Sequence, residues 1–76
     1  MNAPGLSITA GLSEISGRLT DAAAIARAAL TCAEAGSERE AVRIAMKLDT
    51  LLHEADTLHR AVCLISRLQR DAEPDA

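Results

Sequence analysis

The chain has 76 residues, a net charge of −3, close to half of its residues apolar and no aromatic side chain at all. That length bounds it to one small domain, and the apolar content excludes a disordered chain. The acidic balance and missing aromatics argue against a nucleic-acid binder, which needs a basic face and bases to stack on.

No apolar run approaches the length of a membrane span. The N-terminus lacks a basic region followed by an apolar one, so a secretory signal is not expected and a cytoplasmic protein is. Residues 1–6 contain Pro4 and Gly5 and no periodicity, and are expected to be loose.

The first helix is expected over about residues 7–35. Ser7, Thr9 and Ser13 each offer a cap, while Gly11 and Gly17 weaken the segment by up to about 1 kcal/mol each relative to alanine. The helix is expected to fray from Ser7 and become firm after Gly17, where alanines dominate. Its inward set reads Ile8, Leu12, Ile15, Leu19, Ala22, Ala26, Ala29 and Ala33, with Ile25 and Leu30 flanking. Large residues fill the first half and alanines the second, so a partner helix can approach the second half closely.

Gly36 is expected to end this helix in a left-handed conformation. Ser37 follows at once, and Ser37-Glu38-Arg39-Glu40 has the spacing of a capping box. So short a linker turns the helices antiparallel. The second helix is expected over about residues 38–70. Its apolar residues alternate steps of three and four: Ala41, Leu48, Ala55 and Val62 at heptad position a, Ile44, Leu51, Leu58 and Ile65 at d. Ala45 and Leu52 widen the stripe beyond a two-stranded seam. Residues 71–76 are acidic, hold Pro74 and are expected to be a loose tail. The fold class is all-α: an antiparallel two-helix hairpin, completing a four-helix bundle by dimerisation or by binding a partner.

Chemistry finds little support. His53 and His59 are six residues apart, which turns one from the other by roughly 240°, whereas a zincin helix needs four. Asp49, His53 and Asp56 share a face but read as a solvated stripe with local pairs Asp49–His53 and Asp56–Arg60. His59 sits at the edge of the apolar face, and Cys63 lies one turn on. Two helices supply no oxyanion hole, so no enzyme, metal or cofactor is expected. Cys32 near the turn and Cys63 far from it are expected as free thiols. Arg39, Arg43 and Lys47 form a basic row, read as a solvated face or a docking strip for an acidic surface.

The run Ala61-Val62-Cys63-Leu64-Ile65 wraps the helix through more than a full turn. One face packs inward, so Cys63 and Leu64 point elsewhere, and exposed apolar patches of this kind mark contact surfaces. Arg60 and Arg67 flank the patch as rim residues. With Leu68, these five form the expected partner-binding surface, for a second copy or a different protein.

The stretch from Leu48 to Leu68, LDTLLHEADTLHRAVCLISRL, resembles the last helix of rhizobial quorum-sensing antiactivators of the TraM and QseM type. Those are short helical proteins that hold a LuxR-type transcription activator inactive. The likeness is one of apolar spacing and covers this helix alone. It implies a protein partner that is a transcription activator; the charge and the lack of a long apolar run give the expectation of no direct contact to nucleic acid or membrane. The hairpin is also similar in layout to small co-chaperones of type III secretion needle subunits, which implies a shield for an aggregation-prone helical subunit.

Overall fold

A computed structural model describes residues 7–72; the expectations for residues 1–6 and for 73–76 fall outside the described residues. The described chain is all-α, with two arms packed antiparallel. The first arm is α1 (Ile8–Glu34). The second is α2 (Glu38–Ala45) followed by α3 (Leu48–Ala72). Asp71 and Ala72, expected in the tail, still belong to α3.

Ser7 sets the start of α1. Its backbone is extended, and its Oγ accepts from the Ala10 amide at 2.9 Å, which satisfies one of the four orphan donors of the first turn. The helix continues unbroken through Gly11 and Gly17, so it is formed from Ile8 onward and not only after Gly17. At the other end Gly36 has φ +92°, the left-handed conformation a side chain would strain. The Gly36 amide donates to Ala33 O at 3.0 Å and the Ser37 amide to Cys32 O at 2.9 Å. Those two bonds make a Schellman motif.

This motif overturns the expected capping box. The Ser37 amide that Glu40 was to reach is already committed to Cys32, and the Ser37 side chain makes no cap bond. The Glu40 carboxylate turns instead to Arg43, with Nη2–Oε1 at 2.6 Å and Nε–Oε2 at 3.0 Å.

The second arm is not the single helix expected. It breaks at Met46 and Lys47, where the Lys47 amide bonds three residues back to Ile44 O at 3.0 Å and Asp49 bonds to Met46 O at 3.3 Å. Neither proline nor glycine marks the break. Gly11 meets Val62 and Arg18 meets Glu54 across the hairpin, which sets Ile25 and Ala29 at the level of the break. There the facing seam of α1 passes from Ile25 to Ala29.

The seam of the second arm is as expected: Ala41, Ile44, Leu48, Leu51, Ala55, Leu58, Val62 and Ile65 are all buried or half-buried, on both sides of the break. The seam of α1 is not. Leu12, Leu19 and Ala26, expected inward, are exposed. The covered face is Ile8, Ile15, Ala22 and Ala29 at a, with Gly11, Arg18, Ile25 and Cys32 at d. Gly11 and Arg18 are not apolar side chains, which is why an apolar template skips them and lands one position on. Their reasons differ. A Cβ on Gly11 would come within 2.5 Å of Val62 Cγ2, so glycine is what lets the two arms close there. Arg18 is held by a carboxylate on each side, described below.

The core this leaves is thin. Among the described residues the buried apolar side chains are all alanine: Ala22, Ala29, Ala41 and Ala55. The radius of gyration is 17.7 Å, against roughly 11 Å for a compact chain of this length.

Candidate interaction surfaces

In an antiparallel pair the residues beside the seam fall on two flanks: the e positions of both arms on one, the g positions on the other. Chemistry divides them. The g flank is charged through its middle. Arg18 Nη1 lies 2.7 Å from Glu14 Oε1 and its Nε 3.2 Å from Glu54 Oε1. The hydrogen bond that the guanidinium donates to Glu14, joined by the one to Glu54, outweighs burial and raises the guanidinium pKa further, so Arg18 is always charged. Asp21 and Ser13 complete the wall of an open depression of about 390 Å³ beside it. A second depression, about 340 Å³, continues past His53 and Thr57. Both are shallow and open, with no enclosed floor on which to hold a reacting group.

At the open end of the hairpin the g flank becomes apolar. Ala61 is half-covered, and Leu64 and Leu68 are 49% and 57% exposed. Arg60 and Arg67 border them on the outer face, both exposed. Arg60 is tied to Asp56, Nε to Oδ2 at 2.9 Å, one of the two local pairs expected there. Cys63 is exposed as well, but at position b it looks toward the other flank. Its Sγ lies 3.6 Å from His59 Nε2. The five expected partner-binding residues are thus all accessible. Arg60, Leu64, Arg67 and Leu68 form one contiguous strip, with Cys63 around the corner from it.

The e flank carries the surface that sequence reasoning missed. Leu12, Leu19 and Ala26 of α1 face out beside Leu52, with Leu30 and Val42 at the turn end. Leu12, Leu19 and Leu52 are each about half-exposed, and Ala45 lies half-covered among them. The signal was present. Ile25, which flanks the expected inward set, continues the spacing of Ile8, Ile15 and Ala22, and only the face containing it leaves Leu12 and Leu19 outside.

Other expected groups are dispersed. Both cysteines are free, Cys32 half-buried and Cys63 exposed. Among the described residues no three His, Cys, Asp or Glu side chains converge as metal ligands. The basic row is interrupted, because Arg43 pairs with Glu40 and Lys47 lies in the break. No described helix is long and apolar enough to cross a membrane.

Comparison with protein-family models, with curated proteins and with solved structures returned no match for this chain.

Proposed function

We propose that the protein is a non-enzymatic interaction module that binds a helical segment of another protein through the strip Arg60, Leu64, Arg67 and Leu68, with Cys63 at its edge. The supporting observation is that Leu64 and Leu68 stand half-exposed at the open end of the g flank, bordered on the outer face by Arg60 and Arg67 and away from the apolar surface on the e flank. One contact cannot cover both flanks. A leucine pair with an arginine rim suits the apolar face of an amphipathic helix carrying carboxylates at its edges.

The partner class follows from the resemblance of residues 48–68 to antiactivator helices. In that reading the strip captures a LuxR-type transcription activator and holds it inactive. Supporting it are the acidic balance of the chain, which suits a protein that acts on a regulator without touching DNA itself, and the position of the strip inside the resembling stretch.

The test is capture of a purified LuxR-type activator by the full chain, with Leu64→Asp as the probe. The substitution puts an unpaired charge where the partner must desolvate it, so binding is lost while the helical circular dichroism spectrum stays. Arg60→Ala and Arg67→Ala weaken binding less, through the association rate. Capture undiminished by Leu64→Asp would place the binding surface elsewhere, and absence of capture by the unaltered chain would remove the activator from the reading.

A further inference from the structure

We infer that the e flank is the self-association face of this protein, and that its occupant is the e flank of a second copy laid antiparallel, giving a four-helix bundle. The inference does not rest on the proposed partner, which takes the other flank.

Three observations carry it. The first is charge. From Ile8 to Ala26 the only charged residues of α1 are Glu14, Arg18 and Asp21, and all three lie at g or d. The e, b, c and f positions over that length hold Leu, Ala, Ser, Thr and Gly. A helix facing water is expected to carry charge there, and one without it belongs against another helix. A two-fold contact sets the same face against itself, residue i meeting j and j meeting i, so the uncharged α1 part of this face brings no like charges together. Asp49 and Asp56 lie at b on the second arm and form the rim.

The second is relief. Leu19 and Leu52 stand at one level as a ridge, and Ala26 and Ala45 at the next as a saddle, with Leu12 and Leu30 toward the two ends. Turning a second copy end for end lays each ridge into the other's saddle. A parallel copy would stack leucine on leucine over the ridge and leave the saddles empty. Small residues at Ser16, Ala23 and Ala26 let helix axes approach to about 8 Å.

The third is area. The chain exposes 6113 Å², against roughly 4,400 Å² for a compact protein of its mass. The difference, on the order of 1,700 Å² per chain, belongs to the whole surface, both flanks and the ends included; even half of it matches the roughly 800 Å² that each partner buries in a standard interface.

Sedimentation of the full chain tests the face. The unaltered protein is expected at the mass of a dimer, Leu19→Asp and Leu52→Asp at half that mass, and Leu64→Asp, on the opposite flank, at the dimer mass. A covalent readout separates loss of the face from loss of the fold. In a background of Cys32→Ser and Cys63→Ser, the pair Leu19→Cys with Ala26→Cys is expected to give a disulfide-linked dimer. The two thiols cannot close on each other, being about 10.5 Å apart along one helix at 1.5 Å per residue, where a bridge needs roughly 7 Å or less. Thr57→Cys, on the g flank, is expected to stay unlinked. A monomer for the unaltered chain at every concentration would overturn the proposal. A dimer indifferent to Leu19→Asp, or linked as readily through Thr57→Cys, would overturn it as well.

Discussion

Arg18 of α1 and Glu54 of α3 form the ion pair that joins the two arms among the described residues, with Nε 3.2 Å from Oε1; the other ion pairs stay within a single helix. Arg18 occupies a seam position that an apolar residue would fill more favourably, and its side chain is 30% exposed. A charged residue at one such position fixes register at a cost in stability. Arg18→Leu is therefore expected to raise the melting temperature and to lose the single register. An amide correlation spectrum of the variant should show more than one set of peaks for α3. One sharp set with a lowered melting temperature would mean that the pair serves stability and not register.

The glycines make an internally controlled series. Gly17 has open space around it, so Gly17→Ala is expected to stabilise by up to about 1 kcal/mol through helix propensity. Gly11→Ala gains the same propensity, but its methyl meets Val62, whose branched side chain has one preferred rotamer in a helix. Overpacking of this kind costs about 1–3 kcal/mol, so the net change is a loss. Gly36→Ala is expected to lose about 1–2 kcal/mol at its left-handed position. Thermal melts of the three variants should show one rise and two falls.

Ser37→Ala tests the Schellman turn against the capping box. A side-chain cap is worth about 1 kcal/mol. Here the Ser37 side chain caps nothing, so the melting temperature is expected to stay within error of the parent.

The pH response follows from Glu40. The hydrogen bond from Arg43, opposed by partial burial and helped by the charges of Arg43 and Lys47, holds its carboxyl below the usual glutamate value. A carboxyl with a depressed folded-state pKa contributes stability that is present above its unfolded value and is lost as the pH falls through the folded one. The protein is thus expected to be less stable on the acid side of the glutamate range. Glu40→Gln should remove part of that slope in melts run across acidic pH. The part is small, because the pair is solvent-exposed.

The break at Met46 and Lys47 predicts a local opening. α2 and α3 each pack on α1 and make little contact with one another. Amides next to the break are expected to exchange hydrogen faster than those around Ala55. Equal protection throughout would mean that the second arm behaves as one rod.

How much of this was legible depends on which side chains mark a seam. Along the second arm every seam position is Ala, Leu, Ile or Val, and the spacing alone identified all of them. Along α1 the seam passes through Gly11 and Arg18, and neither announces itself as buried: one acts by having no side chain, the other by reaching past the seam to carboxylates. The face was therefore read one position away, which hid Leu12 and Leu19 as surface residues. The capping box failed for a related reason, since its spacing was correct but the Ser37 amide had a stronger claimant in Cys32 O. The break carried no sequence signal, because Ala45, Met46 and Lys47 are good helix formers. Around Cys63 and Leu64 the reading was direct, since a run of apolar residues longer than one face must leave some outside.

The alanine core has a calorimetric consequence. The heat-capacity increment of unfolding scales with the apolar surface newly wetted. A hairpin whose fully buried apolar side chains are single methyl groups, with its seam leucines and isoleucines only half-covered, wets less when it opens than a closed core does. Taken alone, such a chain has a flat stability curve and a wide, shallow melting transition. Each further helix that docks on it adds leucine to what must be wetted, so the transition should sharpen and its enthalpy grow stepwise with every surface that is covered. A differential scanning calorimeter can therefore count the occupied flanks.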